Sequence, residues 1–344
     1  MLAAQELDRK TMPNTDASKP PETLFASNIR APGKAAFDEA GTILRGGGLI
    51  AFPTETVYGL GADATNGEAV ARIFKAKGRP SFNPLIVHVP DQQRASELGQ
   101  FSKSAALLAA AFWPGPLTLV LRRQAHSPIS DLVSAGLPTL AFRVPDHPVA
   151  QALLRAADRS LAAPSANRSG HVSATLASHV AADLGDRVAM ILDGGATVHG
   201  VESTVIDATG DRIVLLRPGA VSAEAIEAVT RMTLLRAPDA ANRPSSPGQL
   251  ESHYAPRATL RLDALSVDAG EALLAFGPNP PPALGPYINL SRTGDTLEAA
   301  AKLFAALRTL DASGVTTIAV MPILNDGLGE AINDRLRRAA APRC

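Results

Sequence analysis

The sequence predicts an α/β fold in two parts: a twisted, mixed and largely antiparallel sheet with flanking helices, then a small second α/β domain. Three observations lead there. Strand-like runs outnumber the helices between them, and the connections at 122–138 and 164–174 are too irregular for a repeated βαβ array. A segment rich in Pro, Ser, Asn and Ala at 236–258 shows no apolar period and reads as a linker between the parts.

Taken in order, residues 1–30 are polar, proline-bearing and without an apolar h-region, so they read as a disordered tail and not as a signal peptide. The first domain is expected over 31–235. AAFDEAGTILRGG places Phe37, Ile43 and Leu44 on a helical stripe, and GGLIAFP follows as a buried strand. EAVARIFKAK sets Val70, Ile73, Phe74 and Lys77 at helical spacing, with Asn66 as its cap and Gly78 as its stop before Pro80. PLIVHV, LTLVLRR, TLAFRV, SLAA, AMILD, STVIDA and RIVLLRP read as strands, the last two joined through TGD as a hairpin. Over 259–344, TLRLDAL, EALLAFG and TTIAVMPIL read as strands around the helix DTLEAAAKLFAALRTL, and EAINDRLRRAA closes the chain as a helix after NDGLG.

Composition narrows the function classes. The 344 residues carry 33 basic and 33 acidic groups, which argues against a protein that grips long nucleic acid non-specifically. No apolar run approaches the roughly 18 residues of a membrane span, so a cytoplasmic protein with no membrane partner is expected. The single cysteine, Cys344, excludes an intrachain disulfide, and the scattered histidines lack metal-ligand spacing. The glycines at 46–48 are not part of a P-loop, and no GxGxxG opens a helix after a strand.

Several segments carry more polar chemistry than packing requires. FPTETVYGLGAD leaves a buried strand and presents Thr54, Glu55, Thr56 and Tyr58 beside two glycines. Lys75, Lys77 and Arg79 stand at a helix C-terminus, where cations complement the dipole; with Asn83 and His88 they form a cationic corner able to hold a polyphosphate. WPGPLT reads as packing by Trp113 plus a rigid turn. Arg143 ends an apolar strand, where its charge calls for a carboxylate from protein or ligand. PSANRSGHVS offers Ser165, Asn167, Ser169 and Ser173 around Gly170, and the hairpin adds Ser203 and Arg217, the latter equally readable as a surface cation.

FPTETVYGLG, KGRPSFNPLIVH, PSANRSG, GVESTV and SPGQLESHYAP, in this order, together resemble the YrdC-like family of threonylcarbamoyl-AMP synthases in its two-domain form, strongly over 32–258 and more weakly through DGLGEAINDRLRRA. The resemblance implies a Rossmann-like second domain. It also implies synthesis of threonylcarbamoyl-AMP from L-threonine, bicarbonate and ATP with release of pyrophosphate, the product passing to a tRNA threonylcarbamoyl transferase complex. It assigns Thr56, His88, Arg143, Ala163 and Ser203 to threonine, and Arg79, Asn83, Thr139, Ser165, Ser173, Arg217 and Tyr254 to ATP. By the same resemblance, Lys77 and Arg79 would be the catalytic Lys-x-Arg pair associated with activity. Segment 236–258 becomes a cover over the site, although Gln249 and Ser252 stand where relatives usually carry Met and Lys. Mg2+ is expected with ATP, its protein ligands unidentified and Glu55 and Glu202 merely nearby. Two alternatives stand beside this reading. One is a non-catalytic RNA-binding maturation or translation factor; the other is carbamoyl transfer to a different acceptor.

Overall fold

The computed structural model describes residues 28–237 and 252–342. Most of the expected tail and the linker segment 238–251, with Gln249, lie outside the described residues.

The first sheet has twelve described strands. Its order is Ile29–Arg30, Met190–Leu192, Ile50–Phe52, Gly59–Asp63, Leu161–Ala162, Ile86–His88, Thr139–Arg143, Leu117–Arg123, Thr204–Asp207, Val214–Arg217 and Leu235–Arg236, with Gly99–Gln100 added on Leu117–Arg123. The sheet is mixed, with six antiparallel strand pairs and five parallel ones. STVIDA and RIVLLRP form the expected hairpin. The second sheet, Thr259–Arg261, Thr317–Val320, Ala272–Ala275 and Tyr287–Asn289 in spatial order, is wholly parallel.

Three boundaries differ from expectation. Ile29 and Arg30, read as tail, pair in parallel with Ile191 and Leu192 because Asn28 anchors them by donating to Gly185 O and Val188 O. Arg236 belongs to the first sheet, and Tyr254, Ala255 and Ala258 of the expected linker are buried. Part of the loop FPTETVYGLGAD is a strand: Gly59–Asp63 lies between Ile50–Phe52 and Leu161–Ala162, a pattern hidden by its glycines.

Local signals explain the helix that carries the cationic corner. The Asn66 side chain accepts from the Glu68 and Ala69 amides, and Gly78 ends helix Gly67–Lys77 in a left-handed conformation, φ 62°. Val70 and Ile73 anchor it in the main core with Leu85, Leu119 and Phe142. A second core on the other face of the sheet joins Leu44 to Leu153 and Phe52.

The third core spans both domains. Val57, Val172 and Val201 of the first domain pack with Tyr254 and with Phe304, Leu307 and Ile332 of the second. The backbones meet closely at Gly200, φ 67°, where a Cβ would stand 2.3 Å from Ala300 O in helix Thr296–Ala312. Gly200→Ala is therefore expected to lose roughly 1–3 kcal/mol of stability in a denaturant titration, through left-handed strain and overpacking. Gly210→Ala, which meets nothing within 4 Å, should stay within about 0.5 kcal/mol of the parent; equal midpoints for the two variants would contradict this account of the interface.

Candidate active site

The polar ends of the strands converge on one cavity. Thr54, Val57, Gly59, Ile86 and His88 contribute from the first strands and their loop. Arg143, Ala163, Pro164 and Ser165 line its middle; Arg79, Glu202, Ser203, Arg217, His253 and Tyr254 complete it. Its free interior is small, about 50 Å³.

On the lining, Arg143 is almost wholly buried and forms an ion pair with Glu55, Nη2 to Oε1 2.7 Å, while its Nε donates to Gly115 O at 3.4 Å. The protein thus supplies the carboxylate that the sequence left open. Burial pushes the Glu55 carboxyl up, but the Arg143 charge outweighs it and holds Glu55 below its usual range. His88 pairs in register beside Arg143, and burial together with that cation lowers its imidazole to about 3. Thr56 bonds Thr54 hydroxyl to hydroxyl at 2.9 Å, one layer behind the cavity wall.

Two further buried guanidinium groups line the same cavity. Arg79 donates to Asn83 O at 3.3 Å and Pro84 O at 3.0 Å, and burial lowers it to about 10. Arg217, readable in sequence as a surface cation, is buried instead and donates Nη2 to Ser203 O at 2.9 Å. Ser203 also shares a 2.8 Å hydroxyl bond with Thr118. The Ser203–Arg217 pair therefore crosses the base of the hairpin.

The cationic corner divides. Lys75 is exposed, as a helix-end lysine commonly is. Lys77 turns inward and donates to Ser165 O at 2.6 Å and Asn167 O at 2.5 Å, and burial lowers its pKa. It is a clamp on the loop PSANRSG and does not line the cavity. Asn167 braces the same loop by donating to Arg168 O and His171 O. Ser173, also outside the lining, donates to Glu202 Oε1 at 2.5 Å. Asn83 is buried with its Oδ1 unbonded.

Thr139 opens the strand that Arg143 ends, roughly 13 Å away at about 3.3 Å per residue. Alternation puts Thr139, Ala141 and Arg143 on one face, and Ala141 joins Ile86, Val120 and Val205 in a small apolar patch. An apolar floor thus runs from the cavity toward Thr139. The cover is Tyr254, buried at φ 64° and stacked on Phe304 with ring centroids 5.6 Å apart. Ala255 N donates to Gly170 O at 2.8 Å, which seats the cover on PSANRSG.

Two features escaped the sequence reading. His253, one of the scattered histidines, lines the cavity beside Tyr254, and burial lowers it to about 3. Arg335 is wholly buried on helix Leu328–Ala340 and reaches Glu202 across the domain boundary, Nε to Oε2 2.8 Å. A signal existed: Ile332, Arg335, Leu336 and Ala339 fall at helical spacing on one otherwise apolar stripe. No group of three or more potential metal ligands occurs among the described residues. Glu202 spends both oxygens on Arg335 and Ser173, whereas Glu55, behind the lining, meets Arg143 through Oε1 alone.

A cavity that gathers buried cations, hydroxyls and an apolar floor, with Tyr254 from between the two α/β domains on its wall, is built for an anionic, partly apolar small molecule. Residues 42–219 match the Sua5, YciO and YrdC family model, described as "Telomere recombination", and residues 221–341 match "Threonylcarbamoyl-AMP synthase, C-terminal domain". A Bacillus subtilis (strain 168) protein named threonylcarbamoyl-AMP synthase is 42% identical over 89% of this chain and 93% of its own. One of the same name from Pyrococcus abyssi (strain GE5 / Orsay) is 40% identical over 88% and 94%. The crystal structure of P. abyssi Sua5 complexed with L-threonine superposes with a TM-score of 0.84 at 37% identity, covering 91% of this chain and 97% of that one. The chain is an enzyme of the nucleotidyltransferase type. It belongs to the two-domain threonylcarbamoyl-AMP synthase family. No described helix is long and apolar enough to cross a membrane.

The two buried neutral histidines set a pH dependence. His88 and His253 stay unprotonated in the fold down to about 3, whereas a free histidine titrates near 6.5. The unfolded chain therefore binds more protons below pH 6.5, so their contribution is intact above that value and is lost as pH falls. The loss should reach roughly 2 kcal/mol for each by pH 5. Denaturant midpoints at pH 7 and pH 5 measure it, and His88→Gln should flatten the dependence; equal midpoints for the parent would contradict the burial argument.

Proposed function

We propose that this cavity joins L-threonine, bicarbonate and ATP into threonylcarbamoyl-AMP. The observation that carries the proposal is a single cavity lined by three buried guanidinium groups, Arg143 paired with the Glu55 carboxylate and Arg79 and Arg217 donating to backbone carbonyls. The names of the full-length relatives and the L-threonine in the P. abyssi structure support it.

The chemistry suits such a site. The threonine amine attacks the carbon of bicarbonate, forming an N–C bond with loss of water. A carbamate oxygen then attacks the α-phosphorus, and the bond to the bridging oxygen breaks with its electron pair leaving on pyrophosphate. Neither step needs a covalent nucleophile from the protein; it needs orientation and cations that meet developing charge on phosphate. Arg143 Nη1 takes the threonine carboxylate while Nη2 stays on Glu55; His88, Ala163 and Ser203 shape the threonine subsite, with Thr56 behind them. Arg79 and Arg217 meet the phosphates with Ser165. The apolar floor toward Thr139 and Asn83 receives the nucleoside, and Ser173 acts through Glu202. Lys77 acts by holding the loop that presents Ser165. Mg2+ brought in with ATP would neutralise charge on the phosphates, with no ready-made cluster of protein ligands for it among the described residues. Tyr254 keeps water from the labile product, which passes to a tRNA threonylcarbamoyl transferase.

Pyrophosphate release tests the proposal. Purified protein with ATP and magnesium should release it only with both L-threonine and bicarbonate present, and more slowly with L-serine. Release indifferent to threonine, or a preference for carbamoyl phosphate, would refute it; RNA binding at physiological salt without ATP turnover would favour the RNA-factor alternative. Arg143→Ala should raise KM for threonine by about 10- to 100-fold, and Arg79→Ala should lower kcat/KM for ATP by a similar factor. Steady-state kinetics with each substrate varied in turn separates the two effects.

A further inference from the structure

Helix Leu328–Ala340 ends the described second domain, yet its most buried charge serves the first domain's cavity. Arg335 is 0% exposed and makes four contacts at once. Nε meets Glu202 Oε2 at 2.8 Å, Nη1 meets Asp334 Oδ2 at 2.5 Å, and Nη2 donates to Pro218 O at 3.0 Å. Its guanidinium carbon also lies 5.1 Å from the centroid of the Tyr254 ring. Glu202 lines the cavity, and its second oxygen receives the Ser173 hydroxyl. Asp334 is held in turn by Arg338 at 3.0 Å. From the neighbouring helix, Arg308 donates to Ser173 O at 3.3 Å and pairs with Asp183 at 2.6 Å.

We infer that Arg335 is a positioning residue of the active site, through which docking of the second domain fixes Glu202 and the Tyr254 cover in their working places. The inference rests on the synthase reading given above. Domain adhesion alone does not call for this arrangement. An exposed ion pair or more apolar surface would hold two domains together without desolvating a guanidinium, which is costly unless its fork is fully matched. Here the fork is matched, and two of its partners, Glu202 and Tyr254, line the cavity. The cover then closes only when the second domain is seated.

Charge gives a readout that adhesion would not move. Glu202 faces Arg335 and Asp334 from the last helix, Arg217 from the hairpin, Lys77 from its helix, Ser173 from its loop, and His253 and Tyr254 from the cover. Burial pushes its carboxyl up; Arg335 first and Arg217 second more than offset this and hold it at about 2. Without Arg335, burial remains and one of the two main cations is gone. Glu202 then takes a proton at higher pH, so an activity that needs its anion fails earlier on acidification.

The test compares full-length parent, Arg335→Met and Arg335→Lys by kcat/KM for ATP against pH, and by amide exchange at Ala255, whose N–H donates to Gly170 O. Arg335→Met should lower kcat/KM for ATP about tenfold and move the acid limb up by roughly 2–3 pH units, because burial then acts against a single main cation. Exchange at Ala255 should quicken about tenfold while Ala208, bonded to Val120 O in the main core, keeps its protection. Arg335→Lys should restore the acid limb but not the full rate, because an ammonium cannot span Glu202, Asp334 and Pro218 together. Parental acid limb and parental Ala255 exchange in Arg335→Met would overturn the inference. Should that variant lose protection at Ala208, Glu202→Gln attacks the same contact from the first domain, and parental exchange at Ala255 there would overturn it equally. If the parent itself releases no pyrophosphate, the synthase reading fails while the Ala255 comparison still decides whether Arg335 seats the cover.

Discussion

Three guanidinium groups and one ammonium group, from Arg79, Arg143, Arg217 and Lys77, lie almost wholly buried around a single cavity. A buried cation without partners costs several kcal/mol, so each must be matched. The chain does this economically: Lys77, Arg79 and Arg217 donate to backbone carbonyls, while Arg143 takes the Glu55 carboxylate. Carbonyl partners satisfy hydrogen bonds without cancelling charge. The lining therefore sets three guanidinium groups against one carboxylate, Glu202, which leaves it cationic.

Keeping those partners in place dictates much of the surrounding architecture. The Lys77 clamp needs helix Gly67–Lys77 to stop at Gly78 and the loop PSANRSG to turn its carbonyls inward, which Asn167 secures. Arg217 reaches Ser203 because the hairpin pairs Val205 with Arg217. Histidines at the site are neutral for the same reason that the arginines need partners: a second cation beside Arg143 would be opposed by burial and by like charge. A rigid charged first domain and an apolar, close-packed seam with the second are thus two answers to one electrostatic problem.

Elements whose signal is local could be read from sequence, and elements whose signal is cross-chain could not. Asn66 and Gly78 bound their helix because capping involves only neighbouring amides. The TGD turn marked its hairpin for the same reason. Gly59–Asp63 was read as loop, since glycines give no alternating pattern and the strand exists only because two neighbours pair with it. Ile29–Arg30 and Arg236 were misplaced likewise, each being a short edge strand whose partner lies far along the chain. Among site residues, Arg143 announced its need for a carboxylate, but nothing local named Glu55 as its partner.

The sequence by itself determined the two-part α/β organisation, the ordered motifs that mark the family, and the inventory of cations and hydroxyls available to the site. Only the tertiary structure decided what each group does. It sent Lys77 to a loop and Arg79 to the cavity, although two positions separate them. It buried Arg217, and it brought Arg335 from the far end of the chain onto Glu202, 133 positions away. The physical reason is that residue type and periodicity are properties of neighbours in sequence. Burial, the partner of a charge and the field at a carboxylate are set by neighbours in space, and those exist only once both domains have packed.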